Sequence, residues 1–232
     1  MQKSDKAQAV GRVNRGVWDA IYRKGAFLHY PSEMLVRIFF RHCRSALPEN
    51  ATILEHGAGT GNNTEFLVRQ GYRVIATDIS EAALQTLEMR FAYANLPRPE
   101  RLLVDPSRPL SGQLPSSDAV IVWDCISYNS AERARADIAD LIGSLKPEGL
   151  FIINAATPRH DFITESVEIA PNTYRYEGDS RPGQKGAIFN APDSMEQLLE
   201  WCSGLKTMQT GGYAYWDEER KADYIFLVGR KK

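Results

Sequence analysis

Apolar and polar positions follow a regular pattern from Thr52 onward, where short apolar runs are separated by amphipathic stretches. This pattern is typical of βαβ units that build a parallel sheet. It predicts strands at residues 52–55, 73–77, 101–104, 119–123 and 150–155. The fourth run is apolar throughout, as expected of a central strand that is buried on both faces.

Helices are predicted between these strands, because apolar residues recur there at helical spacing. The predicted helices cover residues 63–70, 80–94, 131–145 and 194–202. Ser32 is the predicted N-cap of an earlier amphipathic helix. Two further strand-like runs, 206–216 and 224–230, are joined by a charged turn, and we expect them to pair antiparallel.

Residues 158–192 interrupt this alternation, because they are polar and rich in Pro, Gly and Asn. Within them, residues 166–169 and 173–176 are predicted to form a hairpin. We interpret the segment as an insertion or a lid. The chain is thus predicted to consist of an N-terminal helical cap, residues 1–50, and a main domain, residues 51–232, that carries the insertion.

The charge of the chain is nearly balanced, with 28 Lys and Arg against 29 Asp and Glu. Because the basic residues are also scattered, neither nucleic acid nor a membrane surface is an expected partner. The apolar runs are far too short to span a bilayer, and the N-terminal residues lack the apolar stretch of a signal peptide, so we expect a cytoplasmic protein. Cys43, Cys125 and Cys202 are widely separated, and neither a disulfide framework nor a metal site is predicted.

A glycine-rich turn follows the first predicted strand. Gly57, Gly59 and Gly61 let the backbone approach a ligand closely, since glycine has no Cβ atom. Their spacing is G-x-G-x-G, whereas a dinucleotide-binding turn has G-x-G-x-x-G, so the spacing disfavours a nicotinamide or flavin site. Glu55 precedes the turn, and its charge suits a cationic ligand group better than a pyrophosphate.

Carboxylates also follow the second, third and fourth predicted strands. Asp78 comes at the end of the second strand, where a carboxylate can accept hydrogen bonds from ribose hydroxyl groups. Asp105 follows the third strand and could accept a hydrogen bond from an adenine amine, and Asp124 follows the fourth. Because doubly wound sheets bind ligands at the carboxyl ends of their strands, these acids together predict a nucleoside site.

These motifs resemble those of the class I S-adenosylmethionine-dependent methyltransferases. Glu55-x-Gly57-x-Gly59-x-Gly61 is similar to their first motif, Asp78 to their ribose-binding acid, and Asp105 to their adenine-side acid. The turn at residues 145–149 is similar to their late Lys-Pro-x-Gly turn. The resemblance implies a Rossmann-like α/β fold with a doubly wound, mostly parallel seven-stranded sheet of order 3-2-1-4-5-7-6 and an antiparallel last strand. It also implies S-adenosylmethionine as the cofactor.

Two features depart from the family pattern. His56 replaces the apolar residue that is usual in the first motif, and the 158–192 segment matches nothing in it. The resemblance assigns no role to either feature. The residues expected to bind the cofactor are Tyr22, Glu55, Gly57, Ala58, Gly59, Gly61, Asp78, Ile79, Asp105, Pro106, Asp124, Cys125 and Tyr128.

Methyl transfer requires an aligned acceptor and no covalent nucleophile, but a base assists when the acceptor carries a proton. His29, Tyr30 and His160 are the candidates for this role. His160 follows the fifth predicted strand, and the His29-Tyr30 pair lies on the N-terminal segment, which commonly covers the site in the family. Tyr22 could contact the sulfonium through its aromatic face.

The leading hypothesis is therefore methyl transfer to an O, N or S atom of a small molecule. A nucleotide-cofactor oxidoreductase is one alternative, because a glycine-rich turn also serves that class. A non-catalytic cofactor-binding module is the other, and His56 is its only support. The sequence determines neither the acceptor nor the oligomeric state.

Overall fold

The computed structural model describes residues 3–218 and 220–232 and contains two β-sheets. The strands of the larger sheet are β1 (Thr52–His56), β2 (Arg73–Asp78), β3 (Glu100–Leu103), β4 (Ser117–Val122), β5 (Leu145–Ala156), β9 (Leu205–Trp216) and β10 (Lys221–Lys231). The smaller sheet consists of β6 (Ser166–Ala170), β7 (Thr173–Tyr176) and β8 (Ile188–Asn190).

The larger sheet has the order β3-β2-β1-β4-β5-β10-β9. The first five strands in chain order pair parallel, and β10 pairs antiparallel with both β5 and β9. Since β9 and β10 are the sixth and seventh strands of this sheet along the chain, the predicted order 3-2-1-4-5-7-6 is confirmed. The antiparallel pairing of the last two strands is confirmed as well.

Helices cover both faces of the larger sheet. The α-helices are α1 (Lys3–Arg23), α2 (Glu33–Ile38), α3 (Asn62–Arg69), α4 (Glu81–Tyr93), α5 (Ala131–Gly143), α6 (Asp161–Thr164) and α7 (Met195–Trp201). Consecutive residues of β1 point to opposite faces. Ile53 therefore packs with Phe39 and Phe66 on one face, while Leu54 packs with residues such as Ile138 on the other.

Helices α2, α4, α5 and α7 begin at serine N-caps, each of which accepts a backbone N–H with its side chain. Ser32 and Ser80 confirm the two caps that the sequence predicts. Beyond α2 the chain continues as a π-helical segment, Phe39–Cys43. Among the described residues, no helix combines the length and the apolar character needed to cross a membrane.

The fifth strand begins earlier than predicted. The sequence places a turn at residues 146–149 before the strand, whereas β5 already pairs with β4 at Leu145. Ser117 pairs with Leu145 and Ala119 with Leu150, so the register shifts across the turn. Glu148 has a positive φ of 59°, which lets the turn form a bulge within the strand.

The 158–192 segment contains α6 and the smaller sheet. The predicted hairpin is confirmed, because β6 pairs antiparallel with β7. The third strand, β8, was missed by the sequence because its three residues are too short to show a period. A cluster that includes Phe162, Tyr176 and Phe189 joins this sheet to α6 and contacts Tyr224 of β10. Its role as a lid stays a prediction.

Candidate active site

The glycine-rich turn adopts a backbone that requires glycine. Gly57 and Gly59 have φ values of +75° and +54°, in the left-handed region that other residues rarely occupy. A Cβ atom on Gly57 would lie 2.6 Å from the Cβ atom of Cys125, and one on Gly59 would lie 2.9 Å from the hydroxyl of Tyr22. The turn is therefore packed tightly between the segment after β4 and helix α1.

Asp78 holds this turn against the end of β2. Its two carboxylate oxygens accept hydrogen bonds of 2.8 Å from the backbone N–H groups of Gly59 and Ser80. The carboxylate is buried and borders a cavity. Burial raises the pKa of Asp78 to about 6, although the backbone hydrogen bonds act in the opposite direction.

A cavity of about 510 Å³ lies over the carboxyl ends of β1, β2 and β4. It is bounded by α1, by the segment after β4, by the start of α6, and by β10. Eight of the thirteen residues that were predicted to bind the cofactor border this cavity. These residues are Tyr22, Gly57, Asp78, Ile79, Pro106, Asp124, Cys125 and Tyr128.

Helix α1 closes one side of the cavity. Its side chains donate hydrogen bonds to backbone carbonyl oxygens in the segments around the cavity. Arg15 donates from Nε to the carbonyl oxygen of Ile79 at 3.0 Å and from Nη2 to that of Val104 at 3.2 Å. Asn14 donates to the carbonyl oxygens of Tyr128 and Ile188. Trp18 packs edge-on against Tyr128, with ring centroids 4.7 Å apart.

The Ser80 hydroxyl joins α1 to α4, since it donates to Asp19 at 2.5 Å and accepts from the N–H of Ala83 at 3.2 Å. Ser80→Ala is expected to lower the free energy of unfolding by about 1 kcal/mol, the usual cost of losing an N-cap. It should also make α1 more accessible to protease, because the bond to Asp19 is lost.

The matched control is Ser130→Ala, which removes the N-cap of α5. Urea unfolding should show a similar loss of stability for both variants, whereas limited proteolysis should cleave α1 faster only in Ser80→Ala. Equal cleavage rates in the two variants would contradict the role assigned to Ser80.

One end of the cavity contains a polar network on α5 that the sequence did not indicate. Arg133 pairs with Asp137 at 2.7 Å and donates to the carbonyl oxygens of Pro106 and Arg108. Asn129 donates to Asp137 at 3.3 Å. The i,i+4 spacing of Arg133 and Asp137 was the available signal.

His56 borders the same end of the cavity, and Nδ1 of its ring lies 2.9 Å from the Thr77 hydroxyl. Burial lowers the pKa of His56 to about 4, so the ring is neutral near pH 7. The residue that the sequence could not explain is thus a neutral polar group in the wall of the cavity.

Two predicted cofactor acids do not border the cavity. The Asp105 carboxylate accepts hydrogen bonds from the N–H and the hydroxyl of Ser107 at 2.9 and 2.7 Å, and its neighbours Val104 and Pro106 border the cavity instead. Glu55 accepts a 2.5 Å hydrogen bond from Thr64 of α3. Burial raises the pKa of Glu55 to about 7.

His29 and Tyr30, predicted as catalytic candidates, lie away from the cavity, and Tyr30 is 84% exposed. Their backbone rather than their side chains is used, since Arg90 donates to the carbonyl oxygen of His29 and Asn62 to that of Tyr30. These bonds turn both side chains outward. The neighbouring Leu28 contacts the cavity.

Asp124 lies between the two ends of the cavity. It has a positive φ of 50°, an uncommon conformation for a residue other than glycine. Asn154 fixes it by accepting from its N–H at 2.7 Å and donating to its carboxylate at 2.6 Å. The side chain faces the cavity, and protein surrounds it on its other sides. This enclosure raises the pKa of Asp124 to about 6.

The other end of the cavity has aromatic walls and a chain of hydrogen bonds. His160, one of the predicted catalytic candidates, borders the cavity, and its Nε2 atom lies 2.9 Å from the Tyr224 hydroxyl. Its Nδ1 atom lies 2.7 Å from the Asp161 carboxylate, which also pairs with Arg181 at 3.0 Å. Asp161, Arg181 and Tyr224 were missed by the sequence analysis, and only the adjacent His160-Asp161 pair offered a signal.

No group of three or more His, Cys, Asp or Glu residues suited to a metal ion occurs in the part of the chain that the structure describes. The three cysteines are free. Burial raises the pKa of Cys125, the cysteine that borders the cavity, well above its ordinary value. Its thiol is therefore not an activated nucleophile.

Residues 53–149 match the family model of a methyltransferase domain. A search of curated proteins finds no match. Among solved structures, the chain is similar to an S-adenosylmethionine-dependent methyltransferase from Anabaena variabilis, with a TM-score of 0.71 at 14% identity over 96% of this chain and 95% of that chain.

Two further similar structures contain S-adenosylhomocysteine. One is 1,6-didemethyltoxoflavin-N1-methyltransferase from Burkholderia thailandensis, with a TM-score of 0.66 at 17% identity over 97% of this chain and 90% of that chain. The other is the N-methyltransferase NodS from Bradyrhizobium japonicum, with a TM-score of 0.63 at 15% identity over 93% and 98% of the two chains. At such identities, the similarity establishes the shared fold.

Proposed function

We propose that the chain is an S-adenosylmethionine-dependent methyltransferase that methylates a small molecule bound in the 510 Å³ cavity, because residues 53–149 match the family model of a methyltransferase domain. The domain match and the G-x-G-x-G spacing both favour this function over the oxidoreductase alternative. The side chains that border the cavity at its far end favour it over a module that binds cofactor without catalysis.

The observation that carries the proposal is the extent of the cavity beyond the glycine-rich turn. From Asp78 and Gly57 it continues past Asp124 to Tyr224 and His160, so a single space borders both the cofactor residues and a second polar end. A volume of about 510 Å³ is typical of small-molecule sites. Enclosure by α1 and α6, together with the balanced charge, supports a small acceptor rather than a nucleic acid.

The residues at the first end fit a nucleoside cofactor. Asp78 would accept hydrogen bonds from the ribose, and the backbone of Gly57 would lie beside the methionine portion. The missing Cβ atoms of Gly57 and Gly59 make room for Cys125 and Tyr22, which pack against the turn. Val104, Pro106 and Ile126 provide apolar surface for the adenine ring. When bound, S-adenosylmethionine supplies a methyl group on a positively charged sulfur.

The test is calorimetry followed by an acceptor screen. The folded wild type is expected to bind S-adenosylmethionine and S-adenosylhomocysteine, and NAD is the control ligand. Release of S-adenosylhomocysteine should then depend on a small hydroxyl, amine or thiol acceptor. If the folded protein bound NAD but neither sulfur compound, the proposed function would be wrong.

A further inference from the structure

Four side chains from three segments of the chain form a continuous chain of hydrogen bonds at the far end of the cavity. Tyr224 lies on β10, His160 precedes α6, Asp161 begins α6, and Arg181 comes from the loop after β7. All four border the cavity. This arrangement matches the general geometry of a base that is oriented by a carboxylate.

On the basis of the proposed function, we propose that Tyr224 is a catalytic residue that takes the proton lost by a hydroxyl acceptor, and that His160 and Asp161 are the positioning residues behind it. The substrate is then an alcohol or a phenol, and the reaction is O-methylation.

The surrounding hydrogen bonds indicate which atom donates the proton in each link from Tyr224 to Asp161. Asp161 already receives hydrogen bonds from Arg181 and from the N–H of Phe162 at 2.6 Å, so both of its carboxylate oxygens act as acceptors. The Phe162 N–H also points at His160 Nδ1, but from 3.4 Å, whereas it lies 2.6 Å from Asp161. Because Nδ1 itself lies only 2.7 Å from the Asp161 carboxylate, we assign it the ring proton as a donor to that carboxylate. Its Nε2 atom is then the acceptor, and the Tyr224 hydroxyl donates to it across 2.9 Å. This direction makes Tyr224 able to pass a proton to His160.

Burial keeps His160 and Tyr224 neutral before the reaction. It lowers the pKa of His160 to about 4 and raises the pKa of Tyr224 well above its ordinary value. Besides His160, the titratable groups around Tyr224 are Asp124, Tyr128, Arg181, Tyr213 and Tyr215. Besides Tyr224, those around His160 are Asp161, Arg181 and Asp223. His160 is therefore neutral near pH 7, and its Nε2 atom can accept one proton.

The proposed step transfers one methyl group and one proton. The acceptor oxygen forms its bond to the methyl carbon, and the electron pair of the broken carbon–sulfur bond stays on the sulfur. The acceptor proton passes to the Tyr224 oxygen while the Tyr224 proton moves to His160 Nε2. The ring ends as an imidazolium opposite the Asp161 carboxylate, and it returns the proton to solvent after the product leaves.

The chemistry of the acceptor atom favours a hydroxyl over an amine. A neutral amine attacks with its lone pair and can lose its proton after the methyl group has moved, whereas a hydroxyl oxygen is a weak nucleophile unless its proton leaves during the attack. A buried proton acceptor is therefore needed for a hydroxyl. The Tyr224–His160 pair supplies one inside the cavity.

The 158–192 segment has a function in this arrangement. Arg181 reaches Asp161 because its own N–H donates to the Tyr176 hydroxyl at 3.0 Å, and that hydroxyl donates to Glu165 at 2.6 Å. Tyr176 lies on β7 and is fully buried. The smaller sheet thus fixes the cation that holds Asp161 in place.

The first experiment is NMR of the histidine side chains in the complex with S-adenosylhomocysteine, and it needs no acceptor. His160 is expected to show a protonated Nδ1, an unprotonated Nε2 and a pKa well below its ordinary value. Tyr224→Phe should shift the Nε2 resonance, whereas the control Tyr174→Phe, which alters another partly buried tyrosine near the smaller sheet, should not. A protonated Nε2 atom, or no shift in Tyr224→Phe, would overturn the relay.

The second experiment compares catechol with 1,2-diaminobenzene, which present hydroxyl and amine groups on the same ring. The wild type should methylate catechol faster. Tyr224→Phe should lower kcat by at least about 100-fold, the usual contribution of a general base, with an unchanged Kd for S-adenosylmethionine. His160→Gln should lower kcat and remove the acid limb of the pH profile.

The outcomes separate the two levels of the proposal. Turnover of the diamine alone would overturn the hydroxyl class. A kcat within about threefold of wild type in Tyr224→Phe would overturn its catalytic role, since a general base contributes far more. Failure of the folded wild type to bind S-adenosylmethionine would instead show that the proposed function itself is wrong.

Discussion

Asp78→Ala is expected to weaken the binding of S-adenosylmethionine by about 10- to 150-fold, because hydrogen bonds to a charged group contribute about 1.5–3 kcal/mol. Alanine cannot accept the hydrogen bonds that the carboxylate would receive from the ribose. The substitution also removes the acceptor of the Gly59 and Ser80 N–H groups, so the glycine-rich turn loses its attachment to β2. Calorimetry on the folded variant measures the effect.

Asp105→Ala is the matched control for this prediction. The sequence assigned Asp78 and Asp105 equivalent positions at the ends of neighbouring strands, but only Asp78 borders the cavity. Asp105 bonds to Ser107 and is accessible to solvent, so its loss should change the Kd by less than about threefold, within the small range of exposed contacts. Equal effects in the two variants would show that Asp105 turns inward when the cofactor binds.

The contrast between these two acids shows what the sequence could predict. Strand ends follow from the apolar pattern, and parallel strands bring their carboxyl ends to one edge of a sheet. The positions of Asp78, Asp105 and Asp124 were therefore predictable. The direction of a side chain depends on its neighbours, and the Ser107 hydroxyl that holds Asp105 lies in a loop without periodicity.

His29 and Tyr30 were misplaced for a related reason. The sequence predicted that the N-terminal segment covers the site, and α1 borders the cavity through Trp18 and Tyr22. It could not predict that Arg90, distant in the chain, would bind the backbone after α1 and turn these two side chains outward. Long-range contacts to backbone carbonyl groups leave no pattern in the local sequence.

The far end of the cavity was the least predictable part. Tyr224, His160 and Arg181 come from three separate segments, and their contact depends on the pairing of β10 with β5 and on the smaller sheet. The sequence suggested His160 only through its position after the fifth strand. No local signal connects it with Tyr224. Tyr224 lies on β10, which is distant in the chain and pairs with β5.

Glu55→Gln is expected to change how stability depends on pH. Burial raises the pKa of Glu55 from 4.5 to about 7 in the folded state, a shift equivalent to about 3 kcal/mol. Between these values the folded protein binds a proton that the unfolded chain has released. The contribution to stability is therefore complete below pH 4.5 and is lost as the pH rises through about 7.

Glutamine stays neutral at every pH and can still accept the hydrogen bond from Thr64. The free energy of unfolding of Glu55→Gln minus that of the wild type should thus rise by about 3 kcal/mol between pH 4.5 and pH 8.5. Urea unfolding at a series of pH values measures it. Comparing the two proteins cancels the contributions of Asp78, Asp124 and Asp137, whose pKa values burial also raises.

Glu65→Gln, on helix α3 after the glycine-rich turn, provides a control of opposite sign. Burial acts to raise the pKa of Glu65, but hydrogen bonds from Arg69 and Arg90 outweigh it and lower the pKa. Its charged form therefore stabilises the fold above the unfolded pKa, and Glu65→Gln should lose stability relative to wild type as the pH rises. A Glu55→Gln difference that stayed flat with pH would mean that Glu55 is ionised in the folded protein. The carboxylate next to the glycine-rich turn would then already be charged before a cationic cofactor arrives.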